Sequence, residues 1–172
     1  HFRVIYIMTH DSIGLGEDGP THQPIEIIPL VRSTPNFYLM RPCDGNEVSG
    51  CYRIAIKSDQ TPSCLCLTRQ DLPHLDGTDI MKVEKGGYVL QDCEGKPDLI
   101  FVATGSEVSI CVETAKLLKD MKVRVVSMPI VELFDKQDDE YRKSVLLEGV
   151  PVISVEASST FGWAKYSHYQ IG

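Results

Sequence analysis

The chemistry in this sequence gathers in one window. Residues 9–24 read Thr9-His10-Asp11-Ser12-Ile13-Gly14-Leu15-Gly16-Glu17-Asp18-Gly19-Pro20-Thr21-His22-Gln23-Pro24. The imidazoles of His10 and His22 can take or give a proton near neutral pH. Asp11, Glu17 and Asp18 add acceptors, and Gly14, Gly16 and Gly19 allow backbone shapes closed to other residues and a close approach to a ligand. A solvated glycine-rich turn has the same composition, so composition alone leaves both readings open. Location favours function. The window opens where the apolar run Val4-Ile5-Tyr6-Ile7-Met8 reads as a strand, and parallel α/β sheets bind ligands beyond the carboxyl ends of their strands.

Arg69 is the second feature. It follows a strand expected over residues 63–68, and parallel strands of one sheet end on one edge, so Arg69 and His10 are expected on a common rim. A guanidinium offers forked donors and an imidazole one more N–H, which suits a phosphate in a chain of net charge −7. The competing reading is a salt bridge from Arg69 to Asp71 or another loop acid. The segment Thr104-Gly105-Ser106-Glu107 has strand–turn–helix form. Ser106 as an N-cap accounts for it, although a helix start can also hold an anion. His74 and His168 read as surface groups without polar company, and the acidic run 135–140 as a solvated helix start.

The elements that must position these residues alternate. A strand over 3–9 is nearly continuous in apolar character, as expected of one covered on both faces. A helix over 24–32 follows, with Pro24 suited to its first turn and Pro29 forcing a kink or a late start. A strand at 37–40, a helix at 46–57 and the strand at 63–68 complete a βαβαβ run. Residues 71–97, rich in Pro and Gly with one β-like piece at 88–90, read as a linker. Alternation resumes with a strand at 99–103 and a helix at 107–120 that carries Val108, Cys111, Val112, Ala115 and Leu118 on one face. A strand at 123–128, a helix at 138–147 and a strand at 152–155 follow. The fold class is α/β: parallel-sheet layers with helices on both faces, in two incomplete α/β units over residues 1–70 and 98–172.

Composition narrows the function classes. With 24 acidic against 17 basic residues, neither nucleic acid nor an anionic membrane surface would be attracted. No apolar run approaches the ~18 residues of a membrane span. The start at His1-Phe2-Arg3 shows no secretory signal, and the six cysteines read as reduced, buried groups of a cytoplasmic protein. No zinc-ligand spacing occurs, and Cys64 and Cys66 are expected to point to opposite sheet faces. The chain opens almost directly on a strand, without an initiator Met, and closes on an apparent helix at 161–166. It reads as a fragment of a longer polypeptide.

The window HDSIGLGEDGPTHQP at 10–24 closely resembles the signature of transketolases and of the related dihydroxyacetone synthase. The resemblance continues through RPCDGNE (41–47), TRQ (68–70), GGYVL (86–90), ATGSEV (103–108) and PVISVE (151–156), and so covers essentially the whole chain. It implies that residues 1–70 are the later part of a domain binding the aminopyrimidine ring of thiamine diphosphate. Residues 98–172 would be the first part of a C-terminal domain of structural role, and the parent a homodimer. Such enzymes move a two-carbon ketol unit from a ketose phosphate to an aldose. By this resemblance His22 is the catalytic residue beside the cofactor, assisting proton transfer or steadying negative charge on the substrate oxygen. Asp18 accepts a hydrogen bond from the hydroxyl next to the reacting carbon, and His10 and Arg69 hold the sugar phosphate. The glutamate that activates the pyrimidine ring, and the diphosphate and magnesium site, would lie outside this chain, which alone should be inactive. Dihydroxyacetone synthase and a non-catalytic assembly or regulatory relative are the alternatives.

Overall fold

The computed structural model describes residues 2–172. Its first unit is a three-stranded parallel sheet in the order β1-β3-β2, made of β1 (Ile5–Thr9), β2 (Tyr38–Met40) and β3 (Ser63–Leu67). Strand side chains alternate between faces, and each face takes one helix. Helix α1 (Ile27–Arg32) packs Ile28 and Val31 on Leu39, Cys64 and Cys66. Helix α2 (Gly45–Lys57) packs Cys51, Ile54 and Ala55 on Tyr38, Met40 and Leu65. The start of α2 is fixed by Asp44, whose carboxylate accepts the Glu47 N–H at 3.0 Å. The two prolines near α1 are resolved by a late start: Pro29 falls at the third helical position, whose N–H has no partner within a helix.

The second unit is a five-stranded sheet in the order β4-β6-β5-β7-β8, with β4 (Tyr88–Gln91), β5 (Leu99–Ala103), β6 (Val123–Ser127), β7 (Val152–Val155) and β8 (Tyr169–Ile171). All neighbours run parallel except β4, which is antiparallel to β6. Helix α3 (Glu107–Leu117) buries Val108, Cys111 and Val112 against Phe101, Ala103 and Val125 on one face. The other face packs Ile100, Val102 and Val126 against α4 (Val131–Phe134), α5 (Asp139–Val145) and Trp163. No helix among the described residues is long and apolar enough to cross a membrane.

Five sequence expectations change. Residues 71–97 are not all linker, since β4 joins the second sheet through hydrogen bonds to β6. Strand β1 is an edge strand, with Tyr6, Ile7 and Met8 about half exposed rather than covered on both faces. The helix expected at 161–166 is a single 3-10 turn, Trp163–Lys165, after which the chain pairs with β7 as β8. Cys64 and Cys66 share a face with their sulfurs 3.7 Å apart, because residues two apart on a strand point the same way. His74 and His168 do have polar company: His74 Nδ1 lies 3.1 Å from Asp44 Oδ2, and His168 Nδ1 accepts the Val152 N–H at 3.1 Å.

The two units meet where their strands end. Just past β2, the Arg41 N–H donates to the Pro129 carbonyl beyond β6 at 2.9 Å, and the Arg41 carbonyl accepts the Gly105 N–H beyond β5 at 2.9 Å. Glu47 of α2 is fully buried and accepts from the Tyr88 hydroxyl at 2.7 Å and the Ser127 hydroxyl at 2.5 Å, both in the second sheet. Burial pushes its carboxyl above the ordinary glutamate range, although these donors oppose the shift.

Candidate functional site

The register of β1 on β3 builds the rim. Met8 pairs with Cys66 and Thr9 with Leu67 in parallel, so His10 and Arg69 leave the sheet within two residues of the same edge. The Asp11 N–H extends the pairing by donating to the Leu67 carbonyl at 3.3 Å. The glycine-rich loop then lies on the segment that carries Arg69. A Cβ added at Gly14 would sit 2.6 Å from Cδ of Gln70, so only glycine lets the Gln70 side chain lie there.

His10, Asp18, His22 and Arg69 are all exposed. His10 has a positive φ of 63°, an uncommon backbone state for a residue with a side chain, and its Nδ1 lies 2.9 Å from Thr9 Oγ1. Asp18 sits in the turn between Gly16 and Gly19, and His22 ends a 3-10 turn, Pro20–His22, with Nδ1 3.0 Å from Thr21 Oγ1. Among the described residues no ion pair forms between Arg69 and Asp71, and no hydrogen bond or ion pair joins any two of the four. The rim therefore presents free donors and acceptors to solvent. His10 also lines an apolar cleft of 400 Å³ with Tyr6, Met8, Phe37, Cys64 and Cys66.

Beneath the rim lies a charged cluster. The Arg41 guanidinium, completely buried, donates from Nε to Asp11 Oδ2 at 2.7 Å, and from Nη1 to the Thr104 carbonyl and Oγ1, both at 3.0 Å, and to Glu107 Oε2. Its Nη2 reaches Ser106 Oγ at 3.4 Å and Ser12 Oγ at 3.5 Å. Glu156 accepts from Arg32 at 2.9 and 2.7 Å, from Thr104 Oγ1 at 2.6 Å and from Trp163 Nε1 at 2.7 Å. Burial alone would raise the Glu156 carboxyl, but the Arg32 hydrogen bonds and charge outweigh it and bring it down to about 2. Ser106, expected as an N-cap, makes no capping bond and donates instead to Glu107 Oε1 at 2.5 Å. In the sequence Arg41 stands only as the first residue of the RPCDGNE motif. Its acid partners lie 30 and 66 residues away, so no local spacing announced them.

Thiamine diphosphate and magnesium require a cluster of anion-binding donors and a set of hard oxygen ligands. Among the described residues no group of three His, Cys, Asp or Glu converges on a point where a metal could bind. Arg69, His10 and His22 are exposed cationic and imidazole groups of the rim, and no set of hard oxygen ligands accompanies them among the described residues. The residues present do not fit the metal-bound part of the cofactor.

Comparison with known proteins places these features. Residues 1–74 match the family model described as the transketolase pyrimidine-binding domain, and residues 86–172 that of the transketolase-like C-terminal domain. A curated transketolase from Scheffersomyces stipitis is 56% identical over 173 residues, covering 99% of this chain and 25% of its own length. The solved transketolase from Leishmania mexicana superposes with a TM-score of 0.97 at 52% identity, over 100% of this chain and 26% of that one. A Pichia stipitis transketolase solved in complex with sedoheptulose-7-phosphate gives a TM-score of 0.92 at 58% identity, over 95% of this chain and 24% of that one. The chain thus spans about a quarter of the length of the curated relatives it matches.

Proposed function

The chain belongs to the transketolase family, and we propose that it is part of a longer enzyme that transfers a two-carbon ketol unit from a ketose phosphate to an aldose phosphate. One observation carries this reading: the β1–β3 register delivers His10 and Arg69 to a common rim beside the glycine-rich loop that holds Asp18 and His22. The relative solved with sedoheptulose-7-phosphate supports a sugar phosphate as the ligand.

In this reading the exposed guanidinium of Arg69 forks onto the substrate phosphate and His10 adds an N–H. Asp18 accepts from the hydroxyl beside the reacting carbon, so a substrate lacking that hydroxyl leaves the carboxylate unpaired. His22 faces the reacting centre and moves a proton at the substrate oxygen or donates to it as negative charge develops. Thiamine diphosphate, when bound, supplies the carbanion chemistry; most of its site and of the magnesium site belongs to parts of the parent outside this chain, with His22 beside the cofactor here. Residues 1–70 act as the later part of the pyrimidine-binding domain and residues 98–172 as the start of the C-terminal domain. The half-exposed Tyr6, Ile7 and Met8 on an edge strand support a parent in which further chain or the second subunit of a homodimer covers β1. Six free cysteines suit a cytoplasmic setting.

Dihydroxyacetone synthase is not favoured, because curated relatives matched at 56–58% identity are transketolases. The test is an assay of the full-length parent with a ketose phosphate donor and either ribose 5-phosphate or formaldehyde as acceptor. Transfer to ribose 5-phosphate should dominate. Transfer to formaldehyde alone would overturn the reading.

A further inference from the structure

The second unit carries none of the four rim residues, yet it grips the loop that bears three of them at both ends. At the front, Arg41 ties Asp11 and Ser12, which directly follow His10, to Thr104, Ser106 and Glu107. At the rear, the carbonyl of Ile25, one residue past the loop, accepts the Ser158 hydroxyl at 2.8 Å and the Ser159 N–H at 3.0 Å. Bonds within the loop are short-range, such as Leu15 N–H to the Ile13 carbonyl at 2.9 Å and His22 N–H to the Gly19 carbonyl at 3.1 Å. Such bonds shape turns without fixing where the loop stands on the sheet.

Several details make the front grip more than a buried ion pair. A guanidinium is planar and its donors are fixed in a fork, so bonding on three sides sets its orientation. Gly105 has φ +54°, and a Cβ there would lie 2.9 Å from Arg41 Cγ and Cζ, so the turn is shaped around the side chain. Glu107 is itself held, its Oε2 accepting the Ala157 N–H at 2.9 Å. His10 keeps a positive φ, a state that persists only where its surroundings impose it. The grip is applied at the residue immediately following.

We propose that the 104–107 turn of the second unit positions the sugar-phosphate rim, with Glu107 and Thr104 acting through Arg41 on the start of the His10 loop. The inference rests on the reading of His10 as a phosphate ligand. It gives the C-terminal unit a part in substrate affinity as well as in architecture.

Replacing Arg41 would strand two buried carboxylates and threaten folding, so the test alters its partners in the full-length parent. Glu107→Gln should speed amide hydrogen exchange at residues 11–15 by about tenfold and leave that of α2 unchanged. The same variant should raise KM for a phosphorylated acceptor about fivefold, with kcat and the kcat/KM for an unphosphorylated acceptor within about twofold of wild type. Thr104→Val, which keeps every charge, should act in the same direction with smaller amplitude and serves if Glu107→Gln does not fold. Wild-type exchange at 11–15 overturns the inference even if the melting temperature falls. Equal losses on both acceptors also overturn it. Faster exchange at 11–15 in a parent whose wild type transfers no ketol unit would instead overturn the proposed function and leave the loop grip standing.

Discussion

A carboxylate selects for a hydroxyl because a substrate without one leaves it desolvated and unpaired. Asp18→Ala in the full-length parent should therefore lower kcat/KM for hydroxylated aldehydes by about 10- to 100-fold and for unhydroxylated ones by less than about threefold. Steady-state kinetics on the two classes check this, and equal losses would remove Asp18 from the role. Two glutamates with buried carboxyl groups give opposite pH signatures. Glu156, brought down to about 2 from 4.5, contributes stability that is present above pH 4.5 and lost as pH falls toward 2. Glu132 is pushed up from 4.5 to about 7 by burial. Nearby backbone N–H groups and the Arg32 charge oppose that shift, but neither carboxyl oxygen makes a full hydrogen bond. Its contribution is complete below pH 4.5 and lost as pH rises through 7. Glu132→Gln should thus raise the thermal midpoint above pH 7 and leave it nearly unchanged at pH 4.5. A gain equal at both pH values would contradict the assignment.

At the scale of elements, Asp44 caps α2 and also accepts the Leu75 N–H at 3.2 Å and the Thr78 hydroxyl at 2.7 Å, tying the helix start to the chain after β3. Asp44→Ala should cost about 2 kcal/mol, the upper end for a lost cap, read as a shift in denaturation midpoint. Strands β5 and β7 were legible with their exact bounds, because short apolar runs flanked by turn residues have no competing reading there. Strand β8 was not, since Tyr169-Gln170-Ile171 is too short for a periodic signal and exists only by pairing with β7. The β-like piece at 88–90 was legible inside the Pro- and Gly-rich stretch and is strand β4, but its pairing with β6 was not. The Cys64–Cys66 geometry was legible and misread, as period-two alternation already requires a shared face.

At the scale of the molecule, the rim was legible from two strand ends and the parallel rule, because His10 and Arg69 each follow an apolar run. The seam was not legible. Arg41, Glu107 and Glu156 sit in three separate motifs, and only the folded chain shows that they share one buried cluster linking the units. That seam makes the rim a property of both halves together. In the proposed function an exposed guanidinium and an imidazole on adjacent strand ends hold a sugar phosphate. The most direct measurement is KM of Arg69→Gln in the full-length parent for ribose 5-phosphate and for an unphosphorylated aldose. A lost charged hydrogen-bond pair predicts a rise of about 10- to 100-fold for the phosphorylated acceptor and less than about twofold for the other. A uniform change in both, or none, would contradict the account.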